Sequence, residues 1–189
     1  MHNTKQNQAL RRDIEMDHKT IEGIVLIGMP CVGKSTIGAL LSEQLELNFV
    51  DTDQRLELFL GSNLQKVIDR KGYLYLREAE EQVLLKESSQ GKVIATGGSA
   101  VYSENGMSYL KSNALVIFLD LPRENLEERI TNFSTRGIAR RPDQSFASLF
   151  DERRALYLRH TDLRVNCLGL SIDQLLNQLT QISIKHLRK

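Results

Sequence analysis

Short unbroken apolar runs alternate along this chain with longer stretches in which apolar residues recur every third or fourth position. The first run, Ile24-Val25-Leu26-Ile27, contains no polar residue, the pattern of a strand covered on both faces. Further runs stand at Asn48-Phe49-Val50, Lys92-Val93-Ile94-Ala95, Ala114-Leu115-Val116-Ile117-Phe118-Leu119 and Leu163-Arg164-Val165. Between them the spacing is helical. Ile37, Leu40, Leu41 and Leu45 share one face, and Leu76, Val83 and Leu84 lie among the charges of residues 73–87. Leu126 and Ile130 follow Pro122, whose fixed φ and missing N–H suit a helix start. Residues 149–159 and 172–184 supply two last helices. Strands alternating with helices predict an α/β fold, a three-layer α/β/α sandwich around a five-stranded parallel sheet.

Residues 1–20 show neither period nor apolar run and are expected to form a loose tail. Residues 21–189 then make one domain, a size that suits a single core. The least regular stretch, residues 132–145, is rich in arginine and glycine and reads as a lid. A net charge of +1 gives no global attraction to nucleic acid or membrane, so anion binding must come from local placement of charge. Cys31 and Cys167 make neither a metal-ligand spacing nor a disulfide framework, which points to a reducing compartment. No apolar run approaches the roughly 18 residues of a membrane span, and the N-terminus lacks the apolar core of a secretory signal. The expectation is a cytoplasmic monomer with no membrane or nucleic-acid partner.

Chemistry enters at Gly28-Met29-Pro30-Cys31-Val32-Gly33-Lys34-Ser35, which matches G-x-x-x-x-G-K-[ST] between a predicted strand and a predicted helix. That setting is what the phosphate-binding loop requires. The two glycines let the backbone approach a ligand, and the loop's N–H groups gather at the positive end of a helix. Lys34 is expected on the β- and γ-phosphates and Ser35 on Mg²⁺, with Thr36 a helix or α-phosphate contact. The chain lacks the guanine-reading N-K-x-D, which favours ATP as the nucleotide. Cys31 has two readings: a small side chain turned away from phosphate, or a thiol at a helix N-terminus that is prone to oxidation.

The second strand ends in Asp51-Thr52-Asp53. Alternate residues of an extended segment point the same way. Both carboxylates are therefore expected to face the crevice at the strand carboxyl ends. One near Mg²⁺ and one near an acceptor hydroxyl is what phosphoryl transfer to an alcohol uses. The alternative is an aspartate capping the next helix.

The phosphate loop, Asp51-Thr52-Asp53, Arg77 on a helix and Ala95-Thr96-Gly97-Gly98-Ser99 after the third strand, in that order, resemble shikimate kinase over about residues 23–185. The resemblance implies a P-loop kinase with the fold of the nucleoside monophosphate kinases. It also implies ATP-dependent phosphorylation of the 3-hydroxyl of shikimate, a step toward chorismate and the aromatic amino acids. Asp51 resembles the aspartate that holds Mg²⁺, mostly through water. Asp53 resembles the one that grips the ring hydroxyls and accepts the proton of the attacking one. Arg77, in Tyr75-Leu76-Arg77-Glu78-Ala79-Glu80, and Arg153, four residues before Tyr157, resemble the two clamps on the shikimate carboxylate. Glu80 resembles the acid that orients the first clamp, Gly97 and Gly98 the loop that touches substrate, and Arg141 the lid arginine that reaches over the phosphates.

Guanidinium forks are the physical answer to a small carboxylate, because paired hydrogen bonds fix its orientation. Three positions depart from the family pattern: Ser99 replaces a third glycine in the substrate loop, the leucines after Arg141-Pro142 are missing, and Ala155 replaces a proline. The remaining alternatives are a kinase of the same fold acting on another small hydroxy acid or polyol, and a nucleotide-binding regulator without transfer activity. An adenine contact is expected near residues 166–170.

Overall fold

A computed structural model describes residues 20–130 and 137–187. The expected tail up to residue 19 and the first part of the lid, Asn132 to Arg136, lie outside the described residues. Five strands form the sheet: β1 (Gly23–Ile27), β2 (Asn48–Asp51), β3 (Lys92–Ala95), β4 (Ala114–Asp120) and β5 (Leu163–Asn166). Their order is β2-β3-β1-β4-β5, and every pairing is parallel. β1 is central, with Val25 in register with Ile94 on one side and Val116 on the other. All residues of β1 and β4 are buried, as their unbroken apolar runs require. The chain leaves β1 toward β2 and β3 on one side, then returns to build β4 and β5 on the other. Such a reversal opens a crevice at the strand carboxyl ends, where ligands of open α/β sheets bind.

The helices are α1 (Lys34–Leu45), α2 (Thr52–Leu60), α3 (Leu64–Leu84), α4 (Glu104–Lys111), α5 (Arg123–Arg129), α6 (Phe146–His160) and α7 (Ile172–His186). A short 3₁₀ turn, Ala100–Tyr102, precedes α4. None is long and apolar enough to cross a membrane among the described residues. The helix expected at residues 73–87 is the second half of α3, which begins earlier and breaks at Gly72 (φ 84°, ψ 164°). The first half carries few apolar residues among Gln65, Lys66, Asp69, Arg70 and Lys71, so its period is thin. α2 and α4 escape a reading by period for a similar reason. α2 fully buries Leu56 alone among its apolar residues, and α4 only Met107 and Leu110.

The main core surrounds the sheet. A second, smaller cluster joins Leu56 of α2 to Val67, Leu76, Ala79 and Val83 of α3, and to Ala139. That last residue ties the visible end of the expected lid to this second core.

Candidate active site

The turn after β1 folds as a loop whose first glycine is demanded by its surroundings and whose second is demanded by its backbone, at φ 106°. A Cβ on Gly28 (φ 150°) would stand 2.7 Å from the Leu119 carbonyl oxygen of β4. Cys31 adopts φ 66°, in the left-handed region where a side chain is strained. Lys34 is buried and folds back on the loop, its Nζ donating to the carbonyls of Gly28 (2.8 Å) and Met29 (2.9 Å). Ser35 and Thr36 stay exposed on the first turn of α1. Burial pushes the Lys34 ammonium down to about 8, with Asp53 as the largest charge opposing that fall.

This has a measurable consequence. Anionic phosphates favour the charged lysine, whose proton is held below pH 8 and lost above it. ATP binding is therefore expected to take up a proton near pH 8, and ATP affinity to fall as pH rises through that value. Titration calorimetry at pH 8 in buffers of different ionisation enthalpy measures the uptake. Heats independent of the buffer would show that Lys34 does not titrate with the nucleotide.

The strand alternation expected to align Asp51 and Asp53 is not what the chain does. β2 stops at Asp51, which caps α2, its Oδ1 accepting from the amides of Asp53 (2.9 Å) and Gln54 (3.4 Å). Asp53 sits in the first turn of the helix. A free helix N-terminus attracts a carboxylate more strongly than strand alternation can hold one. Both aspartates nevertheless act on Lys34, so the strand-to-helix turn achieves what the strand was expected to do.

Gly97, after β3, holds the acidic groups close together. Its amide donates to Thr52 Oγ1 (2.8 Å). A Cβ there would fall 2.3 Å from Glu80 Oε1 and 2.5 Å from Asp53 Oδ1. The two carboxylates thus flank a single backbone position that only hydrogen can occupy. Glu80 is fully enclosed, and burial pushes it up to about 7, with Asp53 adding to the rise. Asp53 is also raised, mainly by the protein packed around it. It remains open to solvent through the cleft.

Gly97→Ala is expected to lower catalytic efficiency by about 10²-fold, because it displaces both carboxylates by roughly an ångström. Steady-state kinetics beside a melting curve checks this. Full activity in the variant would show that the pair needs no such spacing.

Two arginines from separate helices meet across from these acids. Arg153 of α6 is 1% exposed, and its Nη2 donates to the Ala139 carbonyl at 2.8 Å. Arg77 of α3 donates from Nη2 to the same carbonyl at 3.2 Å, and its guanidinium lies 3.4 Å from the Tyr102 ring centre. The Nε of each arginine is buried without a hydrogen-bond partner. Gly98 lets Arg153 approach, since a Cβ there would stand 2.8 Å from Nη1. The Tyr157 hydroxyl pins the loop by donating to the Gly98 carbonyl at 2.7 Å.

Asp53, Glu80, Gly98, Ile138, Ala139 and Arg153 line a cavity of about 50 Å³. That is room for one or two waters, at about 30 Å³ each, and not for a ring. The Ala139 carbonyl oxygen, on the wall of this cavity, accepts from both arginines at once.

Several expected roles are placed differently. Ser99, on the wall of this cavity and of the larger one beside Arg77 and Tyr102, donates its hydroxyl to Glu80 Oε2 at 2.5 Å. Glu80 accepts from Ser99 and not from Arg77, whose guanidinium is taken by Tyr102 and Ala139. Arg141 is exposed and pairs with Glu152 at 2.8 Å. Glu152 also accepts from Tyr102 and Gln144, and its carboxylate holds Arg141 against α6.

Tyr102 is a site residue that sequence reasoning missed, because a tyrosine in a short turn carries no signal. Asp120, at the end of β4, was also missed; it holds Arg154 at 2.8 Å and Arg164 at 2.7 Å. A carboxylate ending a buried apolar run was the available clue. The stretch expected to meet adenine follows β5, where the Cys167 amide donates to the Asp120 carbonyl at 2.8 Å.

No group of three or more histidine, cysteine, aspartate or glutamate side chains that could hold a metal occurs among the described residues. Mg²⁺ does not need one, since it keeps several waters and takes its other ligands from phosphates and one or two protein groups. Ser35 is exposed beside the loop, and Asp51 uses one oxygen in its cap. These residues fit such an ion.

Comparison with known proteins sets this geometry in a family. The sequence model of the shikimate kinase family matches residues 30–183. Shikimate kinase from Aquifex aeolicus is 36% identical over 143 residues, covering 75% of this chain and 84% of that one. The crystal structure of the Aquifex aeolicus enzyme superposes with a TM-score of 0.73 at 32% identity, over 86% of this chain and 95% of that one. The Acinetobacter baumannii shikimate kinase in complex with shikimate has the same fold, with a TM-score of 0.78 at 24% identity over 90% of this chain and 97% of that one.

Proposed function

The chain belongs to the shikimate kinase family and is a kinase that transfers phosphate from ATP to shikimate, and we propose that Lys34, Asp53, Arg77 and Arg153 carry that reaction here. The observation behind this assignment is the meeting of a buried guanidinium, Arg153, with a half-buried one, Arg77. Arg77 and Arg153 come from different helices, converge on one oxygen and each keep an unpartnered Nε. Leaving a buried donor unpaired costs about 1–3 kcal/mol, more for a charged group. An incoming carboxylate removes that penalty by accepting from both arginines. Its arrival displaces the Ala139 carbonyl, and the movement of Ile138 and Ala139 opens the small cavity to the ring.

The phosphates of ATP lie against the loop amides, and Lys34 exchanges its two carbonyl acceptors for phosphate oxygens. Asp53, between Lys34 and the acceptor cavity, holds the attacking hydroxyl and takes its proton. Ser35 and Asp51 would hold Mg²⁺, which when bound neutralises charge on the phosphoryl oxygens. Arg141 serves the phosphates only after leaving Glu152. Gly97 and Gly98 let the acceptor approach backbone. A single domain of residues 21–189, working as a cytoplasmic monomer, suits these roles.

The test is ADP formation by purified, folded protein with ATP and Mg²⁺ across shikimate and a panel of small hydroxy acids and polyols. Turnover that depends on shikimate is expected. ADP formation with another acceptor alone would reassign the substrate, and tight ATP binding with no turnover would favour a regulator.

A further inference from the structure

Tyr102 ends the 3₁₀ turn that follows Gly97-Gly98-Ser99, and its amide donates to the Ser99 carbonyl at 3.0 Å. The turn ties the ring to the loop expected to meet the acceptor. The far end of the side chain is held as well. Its hydroxyl donates to Glu152 Oε1, while the other oxygen of that carboxylate accepts from Arg141 and Gln144, each at 2.8 Å. Between these two anchors the ring lies against the arginines. The central carbon of the Arg77 guanidinium stands 3.4 Å from the ring centre, and that of Arg153 5.6 Å. Both fall within the roughly 6 Å over which a cation is drawn to an aromatic face. At 3.4 Å only a parallel Arg77 guanidinium fits, since a nitrogen one bond length nearer, about 1.3 Å, would run into the ring. Tyr73, four residues earlier on α3, stands farther from Arg77, at 5.1 Å.

A ring and a carboxylate approach a guanidinium from different directions. The ring takes the flat face, whereas the carboxylate accepts in the plane, along the fork of N–H groups. Stacking on Tyr102 therefore leaves the in-plane donors of Arg77 for a ligand: Nη2 rests on the Ala139 carbonyl and Nε is unpartnered. What stacking removes is the freedom of a long side chain, which would otherwise be lost when the acceptor binds.

We propose that Tyr102 is a positioning residue, which fixes the plane of Arg77 and so sets the affinity for the acceptor carboxylate. The proposal rests on the shikimate kinase reading of the site. The tyrosine acts through Arg77, without touching the reacting atoms.

The experiment measures KM for shikimate, KM for ATP and kcat on Tyr102→Leu and Tyr102→Phe, alone and with Arg77→Gln, beside melting curves. Tyr102→Leu removes the aromatic face and keeps an apolar bulk. It is expected to raise the KM for shikimate about tenfold, the scale of one well-placed contact between a cation and a ring. The kcat and the KM for ATP should stay within about twofold, because the binding lost is the same in ground and transition states. Tyr102→Phe keeps the ring and the turn that places it, so its KM for shikimate should rise by no more than about threefold. With Arg77→Gln present, Tyr102→Leu should add little, because the cation it orients is gone. If Tyr102→Leu fails to fold, Tyr102→Met fills the space with a flexible chain and is read in the same way.

An unchanged KM for shikimate in Tyr102→Leu, a rise shared equally by ATP, or losses that multiply with Arg77→Gln would overturn the proposal. Equal impairment in Tyr102→Phe and Tyr102→Leu would overturn it too, by tracing the effect to the hydroxyl. Wild-type turnover on shikimate is the control. Its absence would overturn the kinase reading and this inference with it, whereas normal wild-type kinetics with an unaffected Tyr102→Leu would overturn this inference alone.

Discussion

Asp53→Asn is expected to lower kcat by about 10²–10⁴-fold, the range for removing a positioned general base. The geometry argues for an effect on turnover more than on folding. Asp53 sits in the first turn of α2, which is capped by the Asp51 side chain and not by its own. It opens on the cleft, so an amide of the same shape leaves no buried void. What the substitution removes is a negative charge beside Lys34 and Glu80. Two further effects should accompany the loss. Lys34 loses its main opposing charge, so its proton should leave at a still lower pH. Glu80 loses a repelling neighbour and should ionise more readily than at about 7. Rapid-quench or steady-state turnover, with circular dichroism as the folding control, checks the first result. An unaffected kcat would remove Asp53 from the chemistry.

Arg153→Ala is expected to raise the KM for shikimate by about 10²-fold, as truncating one partner of a buried charge pair costs 2–5 kcal/mol. Arg153 is almost wholly enclosed, donates to the Ala139 carbonyl and is approached by Gly98. Its neighbour Arg154 points elsewhere, to Asp120 at the end of β4. Arg154→Ala is therefore the informative control, since it removes the same charge one residue away and should spare the acceptor. The KM for ATP should change far less than that for shikimate in Arg153→Ala. Equal losses for the two substrates would mean that the wrong arginine of the pair is assigned. Arg153→Lys separates charge from fork, because an ammonium cannot give two parallel hydrogen bonds.

Much of the site was legible because two of its parts are local. The phosphate loop is a continuous segment whose glycines answer to backbone geometry, so eight residues in a row report both the conformation and the ligand. The acidic segment after β2 was found for the same reason, although its geometry was misjudged. Asp51 and Asp53 were read as neighbours on a strand, whereas Asp51 ends the strand and caps a helix. Strand alternation and helix capping compete for the same three residues, and a sequence does not show which one closes first. Tyr102 and Glu152 were illegible because their roles exist only against residues far along the chain, and Asp120 offered no clue beyond its place at the end of an apolar run. Tyr102 matters through Arg77, and Asp120 through Arg154 and Arg164.

By itself the sequence determined the five strands and their alternation with helical segments, the parallel sheet, the phosphate loop and the presence of two acids and two arginines able to serve an acceptor. Apolar periodicity and glycine placement are properties of neighbouring residues, and they survive without knowledge of the fold. Only the tertiary structure decided how those acids and arginines are used. It put Asp53 and Glu80 on either side of Gly97, turned Ser99 onto Glu80, sent Arg141 to Glu152 and brought the Ala139 carbonyl between Arg77 and Arg153. Each of these is a contest among several charged groups for one partner. Burial and distance settle such contests, and neither exists until the chain has folded.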